Sequence, residues 1–330
     1  MKKNNRNVII SGTGSYAPEK IYTNKYLEQI VDTNDEWIYK NLGIKERRIA
    51  SKDQCTSDLA MIAGQRAIDD AKISKENIDL IIVATATPDR LAPSTACFVQ
   101  DKLNIYRAAA FDISAVCSGF LYAMSIGHQF IANYTYDNIL IIGADTFSKI
   151  TNWKKRDCVF FGDGAGAALL SSYNGNNRGF RSFELHADGR GKYNFTIPGG
   201  GSEHPADENT IQKEMHYFEM NGSEVYNTGT KVLPEVINKI LNDQEMIIDD
   251  IDYLIPHQPS IAILKKTSKI IGLPFDKVLT NMDRYANTSG ATIPILLDES
   301  NKNGLLKKGN NILFAAVGSG WTWGASLLKW

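Results

Sequence analysis

Short apolar runs rich in Val, Ile and Ala, each ending in small or polar residues, alternate along the chain with longer segments whose apolar residues recur at helical spacing. A strand covered on both faces needs no polar alternate positions, so such runs read as buried strands, and their alternation with helices predicts an α/β protein. In the first half the pattern predicts strands over 7–10, 80–85, 108–113 and 138–143, and helices over 24–31, 56–71, 95–103 and 118–133. The second half repeats it, with helices over 222–241, 260–271 and 289–301 and strands over 253–255 and 311–317. Pro234 falls inside the first of these helices and is a candidate kink. Residues 79–84 after the turn Ser74-Lys75-Glu76 resemble 251–256 after Ile248-Asp249-Asp250, which hints at an internal duplication. The Asn- and Gly-rich stretch Asn174-Gly175-Asn176-Asn177-Arg178-Gly179 reads as a surface loop. It places the boundary near 175, giving halves 1–175 and 176–330.

Composition narrows the function classes. A chain of 330 residues, 43% of them hydrophobic, is long enough for two core-forming halves. The 36 basic and 37 acidic residues are interspersed, so no basic tail or stripe offers itself to a phosphate backbone, and nucleic acid is not expected as a partner. The charged start Met1-Lys2-Lys3 is followed by only three apolar residues, Val8-Ile9-Ile10, before Ser11-Gly12, which does not make a secretion signal. No run approaches the roughly 18 apolar residues of a membrane helix, so no membrane association and a cytoplasmic address are expected. Cys55, Cys97, Cys117 and Cys158 contain no C-x-x-C pair, which in a chain this long predicts reduced thiols, one of them a candidate for reactivity.

Gly12-x-Gly14-x-x-Ala17 has the look of a dinucleotide fingerprint, but Pro18 follows at once and no helix N-terminus can face the glycines, so the reading is a tight turn. Gly162-Asp163-Gly164-Ala165-Gly166 lacks the spacing of a phosphate loop and reads as glycine-thinned backbone that lets neighbouring elements approach. Cys117 by itself would be a small buried hydrophobe. Its setting changes that, because a strand leads through Ser114-Ala115-Val116 into Cys117-Ser118-Gly119 and then a long helical pattern. At a helix start the unpaired amides and the dipole favour a thiolate, with a pKa lowered from about 8.5 to between roughly 3.5 and 7.5, and the Cys117 N–H can point at an oxyanion. His257 follows the predicted strand Tyr253-Leu254-Ile255-Pro256, where open α/β sheets gather their chemistry. Asn287 would by default cap the helix that follows it. The turn Gly318-Ser319-Gly320 could be a plain connection or could bring a second backbone donor, at Ser319, to a reacting carbonyl.

In this order and spacing the motifs resemble those of the β-ketoacyl-acyl carrier protein synthase III family over essentially the full chain. The resemblance is carried by Gly12-Thr13-Gly14-Ser15-Tyr16-Ala17-Pro18, Asp32-Thr33-Asn34-Asp35-Glu36-Trp37-Ile38, Gly43-Ile44-Lys45-Glu46-Arg47-Arg48, Cys117-Ser118-Gly119-Phe120, Phe161-Gly162-Asp163-Gly164-Ala165-Gly166-Ala167, His257-Gln258, Asn287-Thr288-Ser289 and Thr322-Trp323-Gly324. It implies a thiolase fold, two similar α/β halves in a five-layered αβαβα arrangement, and a homodimer. It implies that Cys117 takes an acyl group from an acyl-coenzyme A and that His257 and Asn287 stabilise the enolate formed when malonyl-acyl carrier protein loses carbon dioxide, with no metal or other cofactor. Trp37 and Arg156 match residues that hold the coenzyme A adenine; taken singly they would be a surface aromatic and a solvated charge.

Five departures mark this chain, one of them Ser319, which stands where the family has a glycine in the oxyanion loop. Ala262 stands where the family has an arginine associated with carrier-protein binding, Asn227 where a lysine is frequent, and Asn41 where an arginine contacts coenzyme A. Ala92 replaces a phenylalanine that closes the acyl pocket across the dimer interface, which predicts acceptance of acyl chains longer than acetyl. Missing cations weaken electrostatic steering of an acidic partner unless other basic residues substitute. The sequence therefore leaves three further readings open: a ketosynthase of specialised metabolism that joins two acyl or β-ketoacyl units with cyclisation, an acyltransferase that forms no carbon–carbon bond, and a silent partner subunit. Retention of Cys117, His257 and Asn287 together speaks against the last two.

Overall fold

In the computed structural model, which describes residues 6–330, the apolar runs of the first half become a five-stranded sheet. Residues 1–5, including the charged start, lie outside the described residues. Across the sheet the order is Asn7–Tyr16, Asp163–Tyr173, Asn138–Thr146, Leu80–Ala84 and Ala109–Ile113; the first two junctions are antiparallel and the last two parallel. The second sheet runs Gly179–Ala187, Thr322–Lys329, Asn311–Gly318 and Tyr253–Pro256, joined antiparallel, antiparallel and parallel. The four strands thus repeat the order and directions of the first four of the other sheet. The two segments whose likeness hinted at a duplication, ending in Leu80–Ala84 and Tyr253–Pro256, hold equivalent places.

Strand periodicity sorts the apolar side chains into layers. Leu80 and Ile82 face one way, into a core shared with Phe120, Met124, Ile293, Leu297, Ile312 and Phe314. Ile81 and Val83 face the other way, onto Leu59, Ala63 and Ala67 of the helix Thr56–Ala71. In the second sheet Ile312 and Phe314 point into the shared core while Leu313 and Ala315 meet Val232, Val236 and Leu264 of the helices Gly222–Asp243 and Ile261–Ile271. Gly119–Ala132 and Thr292–Lys302 lie between the sheets, giving the order helix, sheet, helix, sheet, helix. This is the five-layered thiolase fold.

Several predicted bounds move. Gly12 and Gly14 are not in a turn: they continue the strand Asn7–Tyr16, and a Cβ at either would stand 2.3 Å from a carbonyl of Thr56–Ala71. Glycine serves helix-on-strand packing there, and the sequence signal for a turn was misread. The glycine-thinned stretch behaves as expected, since Gly166 in the strand Asp163–Tyr173 lies against Pro294 and Ile295 of the central helix. The helix read over 24–31 shrinks to Asn24–Leu27, and the antiparallel pair of strands Lys20–Thr23 and Glu46–Ile49 is not among the strands the sequence predicts.

Candidate active site

A cavity of about 370 Å³ is lined by Cys117, His257, Asn287, Gly318 and Ser319, by the apolar Phe160, Phe161, Phe195, Met220 and Val225, and by Trp37, Asn41 and Ala262 among the remainder. Three separate segments deliver Cys117, His257 and Asn287. Cys117 follows the strand Ala109–Ile113 in a single 3₁₀ turn, Val116–Ser118, that runs into the helix Gly119–Ala132. His257 leaves the C-terminal end of Tyr253–Pro256, and its backbone N–H donates to the Ala315 carbonyl at 2.8 Å. Asn287 precedes the turn into the helix Thr292–Lys302 and is clamped by the other half: its N–H donates to the Phe160 carbonyl at 3.1 Å and its carbonyl accepts from Gly162 N–H at 3.0 Å.

Backbone torsions aim these groups. Val116 (φ +47°), Ala286 (φ +57°) and Ser289 (φ +52°) all occupy the left-handed region that non-glycine residues avoid. They flank Cys117 and Asn287. Strain gathered at one cavity is held there by the surrounding packing.

The hydrogen bonds define what each group presents. The Ser289 N–H donates to Asn287 Oδ1 at 2.8 Å, so the carboxamide cannot be flipped and its Nδ2 is the end left for a ligand. Asn287 therefore does not cap the long helix, the reading its position alone suggested. His257 Nδ1 is 2.7 Å from Thr292 Oγ1, while its Nε2 has no partner among the described residues. The Cys117 thiol donates to Ser289 Oγ at 3.7 Å, and the N–H of the next residue, Gly290, reaches the buried Asp145 carboxylate. Asp145 Oδ1 accepts from the N–H groups of Ala86 and Thr87 at 2.8 and 3.1 Å, and Oδ2 accepts from Gly290 N–H at 3.0 Å. Sequence reading missed Ser289, Thr292 and Asp145 as parts of the site; only their place in a hydrogen-bonded chain distinguishes them.

Burial governs the electrostatics. It pushes the Cys117 thiol up, to about 12, against the downward pull of the Ser289 hydrogen bond, and it pushes His257 down to about 3. The expected resting thiolate is therefore corrected: at neutral pH the free site holds a neutral thiol beside a neutral imidazole, because desolvation of the anion outweighs the Ser289 hydrogen bond.

Gly318 brings the two halves together at the sulfur. A Cβ there would stand 2.9 Å from the Ala115 carbonyl oxygen, 3.0 Å from Ser118 N and 3.1 Å from Cys117 N. Ser319, next in the chain, donates its hydroxyl to the Phe195 carbonyl at 2.6 Å.

Trp37 is presented by the helix Asp35–Leu42, whose N-cap Asn34 accepts from Trp37 N–H at 2.7 Å. The Arg156 guanidinium carbon lies 4.0 Å from the Trp37 ring centroid, so these two expected neighbours do meet. Asn41 and Ala262 line the cavity, whereas Asn227 is exposed and does not. Ala92 is also exposed and does not line this chain's own cavity. All four cysteines are free, and among the described residues no group of three or more His, Cys, Asp or Glu could hold a metal. No helix among them is long and apolar enough to cross a membrane.

Family models agree with this geometry. The model described as 3-oxoacyl-[acyl-carrier-protein] synthase III matches residues 111–189, and that of its C-terminal part matches 241–330, so the two take in Cys117, His257 and Asn287. A β-ketoacyl-[acyl-carrier-protein] synthase III of Caldanaerobacter subterraneus subsp. tengcongensis is 49% identical over 97% of both chains. One from Desulfitobacterium hafniense is 47% identical over 98% of both. The crystal structure of 3-oxoacyl-[acyl-carrier-protein] synthase III from Aquifex aeolicus superposes with a TM-score of 0.90 at 39% identity, covering 98% of this chain and 100% of that one. With relatives this similar along nearly the whole length, the chain belongs to the β-ketoacyl-[acyl-carrier-protein] synthase III family of condensing enzymes.

Proposed function

We propose that the cavity carries out a two-stage condensation in which Cys117 is acylated by an acyl-coenzyme A and the acyl group is then joined to the carbanion of a decarboxylating malonyl-acyl carrier protein. One observation carries the reading: a thiol, an imidazole nitrogen without a partner and a carboxamide nitrogen pinned outward converge on one apolar cavity from three distant segments. In the first stage the Cys117 sulfur attacks the thioester carbon, and the backbone N–H groups of Cys117 and Ser319 receive the developing oxyanion. In the second, His257 and Asn287 Nδ2 hydrogen-bond the malonyl thioester oxygen and stabilise the enolate left as carbon dioxide departs. That carbanion attacks the acyl-Cys117 carbonyl, and a β-ketoacyl thioester leaves. Thiol, imidazole, carboxamide and backbone supply all the groups this chemistry uses, with no metal or redox cofactor taking part.

Trp37 and Arg156 are assigned to the adenine of coenzyme A, Trp37 as the stacking ring and Arg156 as the cation beside it. Exposed Lys231, Lys265, Lys266 and Lys269 lie on the two helices whose residues Val225, Tyr226, Ala262 and Ile263 line the cavity. These cations substitute for the missing ones at 227 and 262 in steering an acidic carrier protein. A homodimer is supported by the open edge of the first sheet, where the last strand, Ala109–Ile113, is half-exposed and apolar, and by Leu91, which is 85% exposed. In that assembly Ala92 borders the partner's acyl pocket, and its small side chain leaves room for chains longer than acetyl. The halves 1–175 and 176–330 are the units of the duplication, and reduced thiols fit a cytoplasmic setting.

A panel of acyl-coenzyme A thioesters tests the reading. Intact mass should show one acyl adduct, absent in Cys117→Ala, with longer chains at least equal to acetyl. Adding malonyl-acyl carrier protein should release a linear β-ketoacyl thioester, and Asn287→Ala should accumulate the adduct without product. A carbocyclic product would replace this reading with the cyclising one, and transfer to an alcohol or amine without carbon dioxide release would replace it with simple acyl transfer.

A further inference from the structure

A single hydroxyl hydrogen on Thr292 decides what the two nitrogens of His257 can do. Thr292 Oγ1 lies 2.7 Å from His257 Nδ1 and 3.0 Å from the Ser289 carbonyl oxygen, and all three residues are buried. A carbonyl oxygen only accepts, and the hydroxyl has one hydrogen to give. When that hydrogen goes to the Ser289 carbonyl, the shorter contact is a hydrogen bond only if Nδ1 is the donor. The other assignment gives up one of the two bonds in a site shut off from water, where an unmade bond is expensive. Neutral His257 then has a bare Nε2, and that nitrogen has no partner among the described residues.

Building on the condensing reading above, we propose that Thr292 is a positioning residue that keeps the hydrogen of resting His257 on Nδ1, so that Nε2 meets the first substrate as a proton acceptor. The consequence runs through the whole cycle. As the sulfur–carbon bond to the acyl group forms, the Cys117 proton passes to Nε2, and the coenzyme A sulfur leaves with its electron pair as a thiolate. The imidazolium, disfavoured in the free buried site, is sustained by the anions it faces, the departing coenzyme A thiolate and then the malonyl-derived enolate; its Nδ1–H stays on Thr292, and Nε2–H becomes the donor to the enolate oxygen as the carboxylate is lost as neutral carbon dioxide. When the new carbon–carbon bond breaks the acyl–sulfur bond, the Cys117 thiolate takes the proton back. One proton thus moves between Cys117 and His257, and charge balances because the malonyl carboxylate enters and a coenzyme A thiolate leaves.

Long-range ¹⁵N–¹H correlation on histidine-labelled protein, with the His257 signals assigned by their loss in His257→Gln, reads the tautomer directly. The free wild type should show hydrogen on Nδ1. Thr292→Val should move it to Nε2 and slow single-turnover acylation of Cys117 by about 10-fold or more, since a positioned base is worth roughly 10²–10⁴. Thr292→Ser should restore both. Hydrogen on Nε2 in the wild type, or wild-type acylation by Thr292→Val, overturns the proposal; should Thr292→Val fail to fold, the wild-type spectrum and Thr292→Ser still decide it. The spectrum needs no substrate. Failure of every acyl-coenzyme A to acylate the wild type would instead sink the condensing reading and leave the tautomer assignment standing.

Discussion

Replacing Gly318 with alanine probes how closely the second sheet presses on the nucleophile. The added Cβ would meet three backbone atoms at 2.9, 3.0 and 3.1 Å, where ordinary contact begins at 3.4 Å. All three belong to Ala115, Cys117 and Ser118, so no flexible side chain can swing aside and the strand end and the turn must separate by a few tenths of an ångström. Gly318 does not have a positive φ, so alanine suffers no torsional strain and the effect is steric alone. Overpacking of this kind costs about 1–3 kcal/mol of stability. A displacement near 1 Å costs about 10² in rate, so one of nearly half that should slow acylation about 10-fold. Rapid-quench intact mass with an acyl-coenzyme A measures that rate, thermal unfolding measures the stability, and Gly201→Ala, whose Cβ meets nothing within 4 Å, is the control. Acylation by Gly318→Ala at the wild-type rate would refute the claim that the strand end fixes the geometry of the Cys117 turn.

Ser289→Gly suits the φ of +52° but removes the hydroxyl beside the sulfur; the fold should persist, and iodoacetamide should alkylate Cys117 more slowly at fixed pH, because the hydrogen bond that pulled the thiol down is gone. Equal or faster alkylation contradicts the bond. His257 is held neutral by burial, its value depressed from 6.5 to about 3, so its stabilising effect is complete above pH 6.5 and is lost as pH falls toward 3. At about 1.36 kcal/mol per unit, acidification to pH 5 should cost the wild type roughly 2 kcal/mol more than His257→Gln in urea unfolding. Asp163, raised to about 6 by burial, works in the opposite direction but is common to both proteins and cancels in the comparison. Arg47 is fully buried and donates to the carbonyls of Tyr22 and Val159 and to Asn24 Oδ1. Arg47→Leu should leave those acceptors unpaired and destabilise the protein by about 3 kcal/mol or more, seen as a lower denaturant midpoint with an unchanged slope.

Much of the fold was legible in the chain. The helices Thr56–Ala71 and Thr95–Leu103 lie where their spacing put them, because each carries one apolar stripe and stops at a left-handed residue, Lys72 or Asn104. The candidate residues were legible only as a set of motifs in a family's order and spacing, since a histidine after a buried strand or an asparagine before a helix carries no chemistry by itself. What local order misread was glycine. Gly12 and Gly14 look like a turn until the carbonyls of the helix packed against them are in view.

Sequence by itself determined the α/β alternation and, through motifs shared with a family, nominated Cys117, His257 and Asn287, because periodicity and short motifs are properties of neighbours along the chain. Tertiary structure decided that Asn287 turns its nitrogen outward, that Thr292 and Ser289 contact the imidazole and the sulfur, and that the resting thiol is protonated. Those outcomes depend on groups far apart in sequence and on how much water burial removes, and neither is encoded in any local stretch of residues.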